Sequence, residues 1–469
     1  MEFYDLTPTN ENVYQTFFDD KIGRNPKVFK FISLINRINS SCSISLDGSW
    51  GSGKTIFVKQ VKMVLDALNQ YKAKSDFTNQ QEEEAVKAVF TRLTDKNTTI
   101  DTIKPHVCVY YDAWENDSDT DPLISLAYKI AKEFSCDYLF EDAPKTQEVI
   151  SSALKTIVSG ITNIDVNRIY DDCHFTNKLE EIEEKKTLEQ TVSEMFDSLL
   201  PEHGDRLIIF IDELDRCKPT FAVKLLERIK HYFTNEKITF VFSTNLIELS
   251  NTIKKLYGDD FNANRYFNKF FDLRLSLPQI DIDSYLSVLG CWEGIINLDI
   301  FKKIIKEYNL SMRGICRFLK LYELAKPSEV ALSRVYYSDQ ISKGTRFFEG
   351  SVLPLLVALQ LTDLQELNMF ISGKNPQPLI DLLKDGEYPY LSLLNIREMP
   401  IYKENGEKSI EDVIITLYNK IYNPGFRWDI SKFGNNMNLI EFHPTILKMF
   451  HDSFSLISEF NTAQDKTRK

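Results

Sequence analysis

A chain of 469 residues, 43% hydrophobic and 26% charged, can bury a large core without disulfide or metal staples and has room for two to three domains. With 17 Gly and 16 Pro it does not read as a long disordered linker, and its 32 Phe and 21 Tyr point to an aromatic core or to sticky partner surfaces. A net charge of −12 opposes long-range attraction to nucleic acid or anionic lipid, although a local basic groove stays open.

Residues 1–40 carry apolar residues at helical spacing and predict a helical lead-in, interrupted near Gly23–Pro26. "SCSISLD" (41–47) predicts a short strand, and the segment after the glycine loop, "KTIFVKQVKMVLDALNQYK", has a helical period with Val58, Val61, Val64 and Leu65 on one side. Residues 71–104 are polar, with a short exposed helix expected at "QQEEEAVKAV". "HVCVYYDAW" (106–114) predicts a buried strand, and "DPLISLAYKIAKEF" an amphipathic helix starting near Asp121. Residues 136–200, including the charged run "KLEEIEEKKTLEQ", form a second polar insert whose charges mark a solvated helix face, with a partner-docking helix as the alternative.

"DRLIIFIDELDRC" (205–217) holds an unbroken apolar run ending in two acids, and Pro219 then opens the helix "PTFAVKLLERIKHYF". "KITFVFSTN" (237–245) predicts another buried strand, "LIELSNTIKKLYG" a helix closed by Gly258, and "FFDLRLSLP" (270–278) a last strand. Strand signals become rare from about residue 281, and residues 345–469 read as mostly helical, with a turn at Tyr422, Pro424 and Gly425. The seven cysteines are scattered and odd in number, which fits free thiols in a reducing compartment. "MEFYDLTPTNENVYQ" lacks a basic segment leading into an apolar run. The longest apolar stretch, "VLPLLVALQL" (352–361), falls short of the roughly 20 residues that cross a bilayer. A cytoplasmic protein with no membrane span is therefore expected.

Gly48, Ser49, Trp50, Gly51, Ser52, Gly53, Lys54 and Thr55 match G-x-x-x-x-G-K-[ST] at every required place. Gly48, Gly51 and Gly53 let the backbone turn tightly, so that its N–H groups, with that of Ser52, point at an anion. The following helix aims its positive end at phosphate, Lys54 adds a point charge, and Thr55 offers a hydroxyl to Mg²⁺. The alternative is an ordinary strand–turn–helix junction. Asp212 and Glu213 end a run that reads as a strand buried on both faces, and ligands sit at that end of open α/β sheets. Asp212 is placed to hold Mg²⁺, and Glu213 to accept a proton from attacking water, as in ATPases of the additional-strand class; the alternative is a solvated acid pair at a strand end.

Thr244 or Asn245 ends the next strand, where a γ-phosphate sensor belongs; a helix cap is the competing reading. Arg313, in "NLSMRGICRFLK", is a candidate lid arginine reaching the γ-phosphate or else a surface residue. Arg216, Arg228 and Arg265 are further candidates for stabilising transition-state charge. Trp114 reads as core packing, with a coupling role as the alternative. Asp215 and Arg216 read as a structural ion pair at the strand–helix turn or as a coupling device, and Cys217 as packing.

Together, "GSWGSGKT", "VYYDAWENDSDTDPL", "IIFIDELDRCKP" and "IKKLYGDDFNANRYFNKFFDLRLSLP" resemble, in order, the motifs of the KAP family of P-loop NTPases, over about residues 20–330. The resemblance implies a STAND-related ATPase of the additional-strand class, often a regulated switch, with phage-exclusion proteins and neuronal membrane scaffolds among its members. It implies ATP and Mg²⁺, held by Lys54, Thr55 and Asp212, with Glu213 polarising water. Many members insert paired transmembrane helices between the phosphate loop and the acidic strand, whereas the corresponding stretches here are polar.

The expected fold is α/β: a doubly wound parallel-sheet P-loop NTPase core at 41–280 with polar inserts near 71–104 and 136–200, a helical lid at 281–345, and a mostly helical C-terminal domain at 346–469. The expected function is a Mg²⁺-dependent ATPase whose nucleotide state gates homo-oligomer assembly or partner binding, with anti-phage defence as a setting suggested by family analogy. The alternatives are an ATP-binding scaffold with little turnover and a nucleic-acid-dependent motor, the latter disfavoured by charge.

Overall fold

The computed structural model describes residues 7–20, 22–69, 80–93, 103–119, 121–135, 200, 204–232, 235–277, 281–288, 297–327, 339–384, 410–423 and 442–465. The expectations for residues 136–199, including the charged run, and for the turn at Pro424 and Gly425 lie outside them. The chain divides into two units, residues 6–281 and residues 282–469 with 1–5.

The first unit is built on five parallel strands: β1 (Cys42–Asp47), β2 (His106–Asp112), β3 (Arg206–Asp212), β4 (Ile238–Thr244) and β5 (Leu273–Ser276). Their order is β2-β3-β4-β1-β5, so β4 stands between the strand entering the glycine loop and the strand ending in the acids. β3 and β4 are buried along their whole length, as their continuous apolar runs predict. The period of two sorts β3 between two faces. Leu207, Ile209 and Ile211 enter one apolar cluster with Val109, Tyr111, Phe240 and Phe242. Ile208 and Phe210 enter the other with Ile44, Leu46 and Val241.

Helices cover both faces, which is the doubly wound arrangement. One face carries α1 (Asn10–Phe18), α2 (Asn25–Asn36), α3 (Lys54–Leu68) and α4 (Gln80–Leu93). Gly23, at φ 65°, makes the break between α1 and α2. The other face carries α5 (Pro122–Ser135), α6 (Pro219–Tyr232), α7 (Leu246–Tyr257) and α8 (Ala263–Phe267). The α4 segment departs from the exposed helix expected of it: Val86 and Phe90 are fully buried, and Phe90 packs on Phe29. Val89 packs partly buried beside them, and the acidic first turn masks this apolar stripe.

Register puts the carboxyl ends of the strands level. Asp112 lies beside Asp212, Asp212 beside Ser243, and Asp47 beside both Thr244 and Ser276. One sheet edge thus gathers polar residues from all five strands, at the end where open α/β sheets hold ligands.

The regular elements among the second unit's described residues are all helices. "VLPLLVALQL" forms most of a helix, Leu353–Thr362, in which every residue from Leu353 to Gln360 is buried, so its uniform hydrophobicity belongs to a core helix. It continues a π-helical turn at Phe348–Val352. No helix among the described residues is long and apolar enough to cross a membrane.

Candidate functional site

Gly48 leaves β1 by donating its N–H to Thr244 O at 3.2 Å, which ties the loop to the end of β4. A Cβ on Gly48 would meet Ser52 Oγ at 2.8 Å and Lys54 Cγ at 3.3 Å, so a side chain there would push the Ser52 hydroxyl aside. Gly51 and Gly53 take φ 75° and 84°, the left-handed region that L residues avoid. Gly53 is also the N-cap of α3 and supplies no side-chain acceptor, so the first N–H groups of the helix get no side-chain cap. Together these features make a backbone cradle with a positive end, and Ser52 Oγ is buried beside it without a hydrogen bond.

Lys54 is the first residue of α3 and is buried. Its Nζ donates to Gly48 O at 2.6 Å and Ser49 O at 3.1 Å, folding the ammonium back into its own loop. Burial lowers the Lys54 pKa, while Asp215, Asp212, Glu213 and Asp47 oppose that shift. Arg24, just before α2, reaches the loop from the lead-in and donates from Nη1 to Ser52 O at 2.8 Å. That contact spans 28 residues, and no local spacing signals it.

Asp212 is fully buried at the end of β3. Burial raises its pKa, countered by the hydroxyls of Thr55, Ser243 and Tyr110 and by the Glu213 amide. Tyr110 Oη donates to Oδ2 at 3.0 Å and Glu213 N to Oδ1 at 3.0 Å. Ser243 Oγ is near enough to lower the pKa but makes no hydrogen bond of good geometry. Tyr110 went unassigned at the level of sequence; the aromatic run "VYYD" ahead of a polar turn is the signal that holds it.

Glu213 stands one residue past β3 with φ 59° and ψ 25°, left-handed for a residue that has a Cβ. Its pKa is raised to about 7, first by burial and then by Asp212, with Arg216 pulling the other way. Arg216 Nε pairs with Glu213 Oε2 at 2.7 Å. The short 3₁₀ turn Leu214–Arg216 makes that i,i+3 meeting possible. Asp215 does not pair with Arg216. Its Oδ2 accepts the Trp50 indole N–H at 2.6 Å, joining the glycine loop to the turn after β3.

Trp114 corrects the expectation of core packing: it is 52% exposed, and the Arg216 guanidinium lies over its ring at 5.3 Å. The chain turns outward here because Asp112 Oδ1 accepts both the Trp114 and Glu115 amides, making a tight turn that ends β2. Ala113, whose N–H bonds Asp212 O, is the residue that fills the core. Cys217 is buried in the apolar cluster on this face, as expected.

Asn245 is a helix cap: its side chain accepts the Ile247 and Glu248 amides. Thr244 is fully buried, and its hydroxyl forms no hydrogen bond. Arg228 is held at 3.1 Å by Asp121 in a buried pair between α5 and α6, which ties it to the scaffold. Arg265 is exposed on α8. Arg313 lies on the helix Met312–Ala325 of the second unit and is not among the residues the first unit brings together.

The residues present fit a nucleotide with a hard divalent cation. Gly51 and Gly53 hold the loop in the left-handed turns of a backbone cradle, the Ser52 hydroxyl is unused, and the Thr55 hydroxyl faces a buried carboxylate, an all-oxygen pair of the kind Mg²⁺ takes. The chain matches the family model described as the KAP family P-loop domain over residues 24–319. No curated protein matches it.

Proposed function

Because the chain belongs to the KAP family of P-loop NTPases, we propose that it binds ATP with Mg²⁺, hydrolyses it, and uses the nucleotide state to gate assembly with itself or with a partner. The observation that supports this reading most is the meeting, at one sheet edge, of a phosphate turn and a buried Asp212 followed by Glu213. Gly48–Gly53 amides and Lys54 would hold the phosphates. Thr55 and Asp212 would hold Mg²⁺, which when bound offsets the charge developing on the transferred phosphoryl group. Glu213 would take the proton from water, and a carboxylate near pKa 7 is well matched to that task.

The second reading, an ATP-binding scaffold with little turnover, draws on one contact: Glu213 is already engaged by Arg216. Arg313 is proposed as a lid arginine, and defence against phage as the biological setting the family analogy offers. The test compares wild type with Lys54→Ala. Wild type is expected to bind ATP and to change mass between ADP and a non-hydrolysable ATP analogue, and Lys54→Ala to lose binding. Equal mass in both nucleotide states would reject gated assembly; undiminished binding in Lys54→Ala would reject the phosphate site.

A further inference from the structure

We infer that Arg216 is a positioning residue for Glu213: it restrains turnover by holding the Glu213 carboxylate in an ion pair, and the exposed ring of Trp114 is the outer support of that pair. The inference rests on the hydrolytic reading of Glu213.

Three observations carry it. First, the charge-assisted bond from Arg216 Nε to Glu213 Oε2, at 2.7 Å, occupies an oxygen that a water proton would otherwise reach. Second, the other carboxylate of the turn, Asp215, gives its Oδ2 to Trp50 and does not pair with Arg216, so Glu213 is the carboxylate that Arg216 engages, on a turn anchored by the buried Leu214 and Asp215. Third, the pair is built to open. The two side chains keep 26% and 20% of their exposure, and the guanidinium rests on Trp114, which is itself half exposed. Partly exposed ion pairs are weak, so a ligand or partner that covers Trp114 or attracts Arg216 can break this one. Glu213 sits in the left-handed region, a conformation that concentrates at sites where a side chain must be aimed.

The test is the Mg²⁺-ATPase activity of the full chain as Arg216→Ala, Trp114→Ala and Glu213→Gln, and as Arg216→Ala combined with Glu213→Gln. Arg216→Ala is expected to raise kcat about fivefold (about 1 kcal/mol at 1.36 kcal/mol per tenfold) with KM for ATP unchanged. Trp114→Ala, a surface change that leaves the core intact, is expected to raise it by a smaller factor, and the gain is expected to vanish in the double variant. A merely structural arginine gives a loss of activity, never a gain. Unchanged or lower turnover in both Arg216→Ala and Trp114→Ala, with Glu213→Gln still inactive, overturns the restraint and leaves the hydrolytic reading standing. Undiminished turnover in Glu213→Gln overturns that reading and the restraint with it.

Discussion

Buried polar side chains are where single residues of this protein carry most weight. Asp212 is surrounded by donors, which offset part of the cost of burying it. His106, at the opposite end of the sheet, is not: it is 1% exposed, and neither ring nitrogen has a hydrogen-bond partner. Burial and the nearby Arg206 lower its pKa from 6.5 to about 4. The unfolded chain therefore takes up a proton first as pH falls, and stability present above pH 6.5 is lost progressively down to pH 4. The loss from this group amounts to about 3 kcal/mol. Thermal melts of wild type and His106→Leu across that range check it. The variant is expected to show a flatter decline; parallel curves would remove His106 from the account. At this scale spacing in the sequence placed Lys54, Thr55, Asp212 and Glu213 at one sheet end. It could not show that Trp50 reaches Asp215 across 165 residues, because side-chain partners at that range depend on how the strands are ordered.

Elements were legible where one periodicity dominates. The runs "LIIFID" and "ITFVFST" are short, rich in β-branched and aromatic residues and bounded by polar ends, and both form strands buried on two faces. Trp114 was misread because a run of this kind does not say where the chain leaves the sheet. The Asp112 carboxylate, by capping the turn, decides that. Similar capping sets the start of α7, where Asn245 binds two amides directly after β4. Asn245→Ala is expected to lower stability by about 1 kcal/mol, and Asn245→Asp to retain most of it. Urea midpoints at constant slope would measure this; no shift in the alanine variant would mean the cap is redundant with the bond from the Leu246 amide to Asp47 Oδ1.

At the scale of the molecule, strand order matters most. With β4 between β1 and β3, the phosphate turn and the acidic strand end are one strand apart, and Asp47, Thr244 and Asp212 lie along a single edge. That spacing leaves Lys54 within the field of Asp212, Glu213 and Asp215, while Trp50 ties the loop to Asp215. The lead-in helices α1 and α2 belong to the same unit and brace the loop through Arg24. Such an edge can both hold a triphosphate and deliver a base to water, and the proposal that it does so stands on Glu213. The most direct measurement is ATP binding and steady-state turnover of full-length Glu213→Gln beside wild type. Binding is expected to be unchanged and turnover to fall by a factor on the order of 100 or more. Turnover equal to wild type would contradict the assignment of Glu213 as the base.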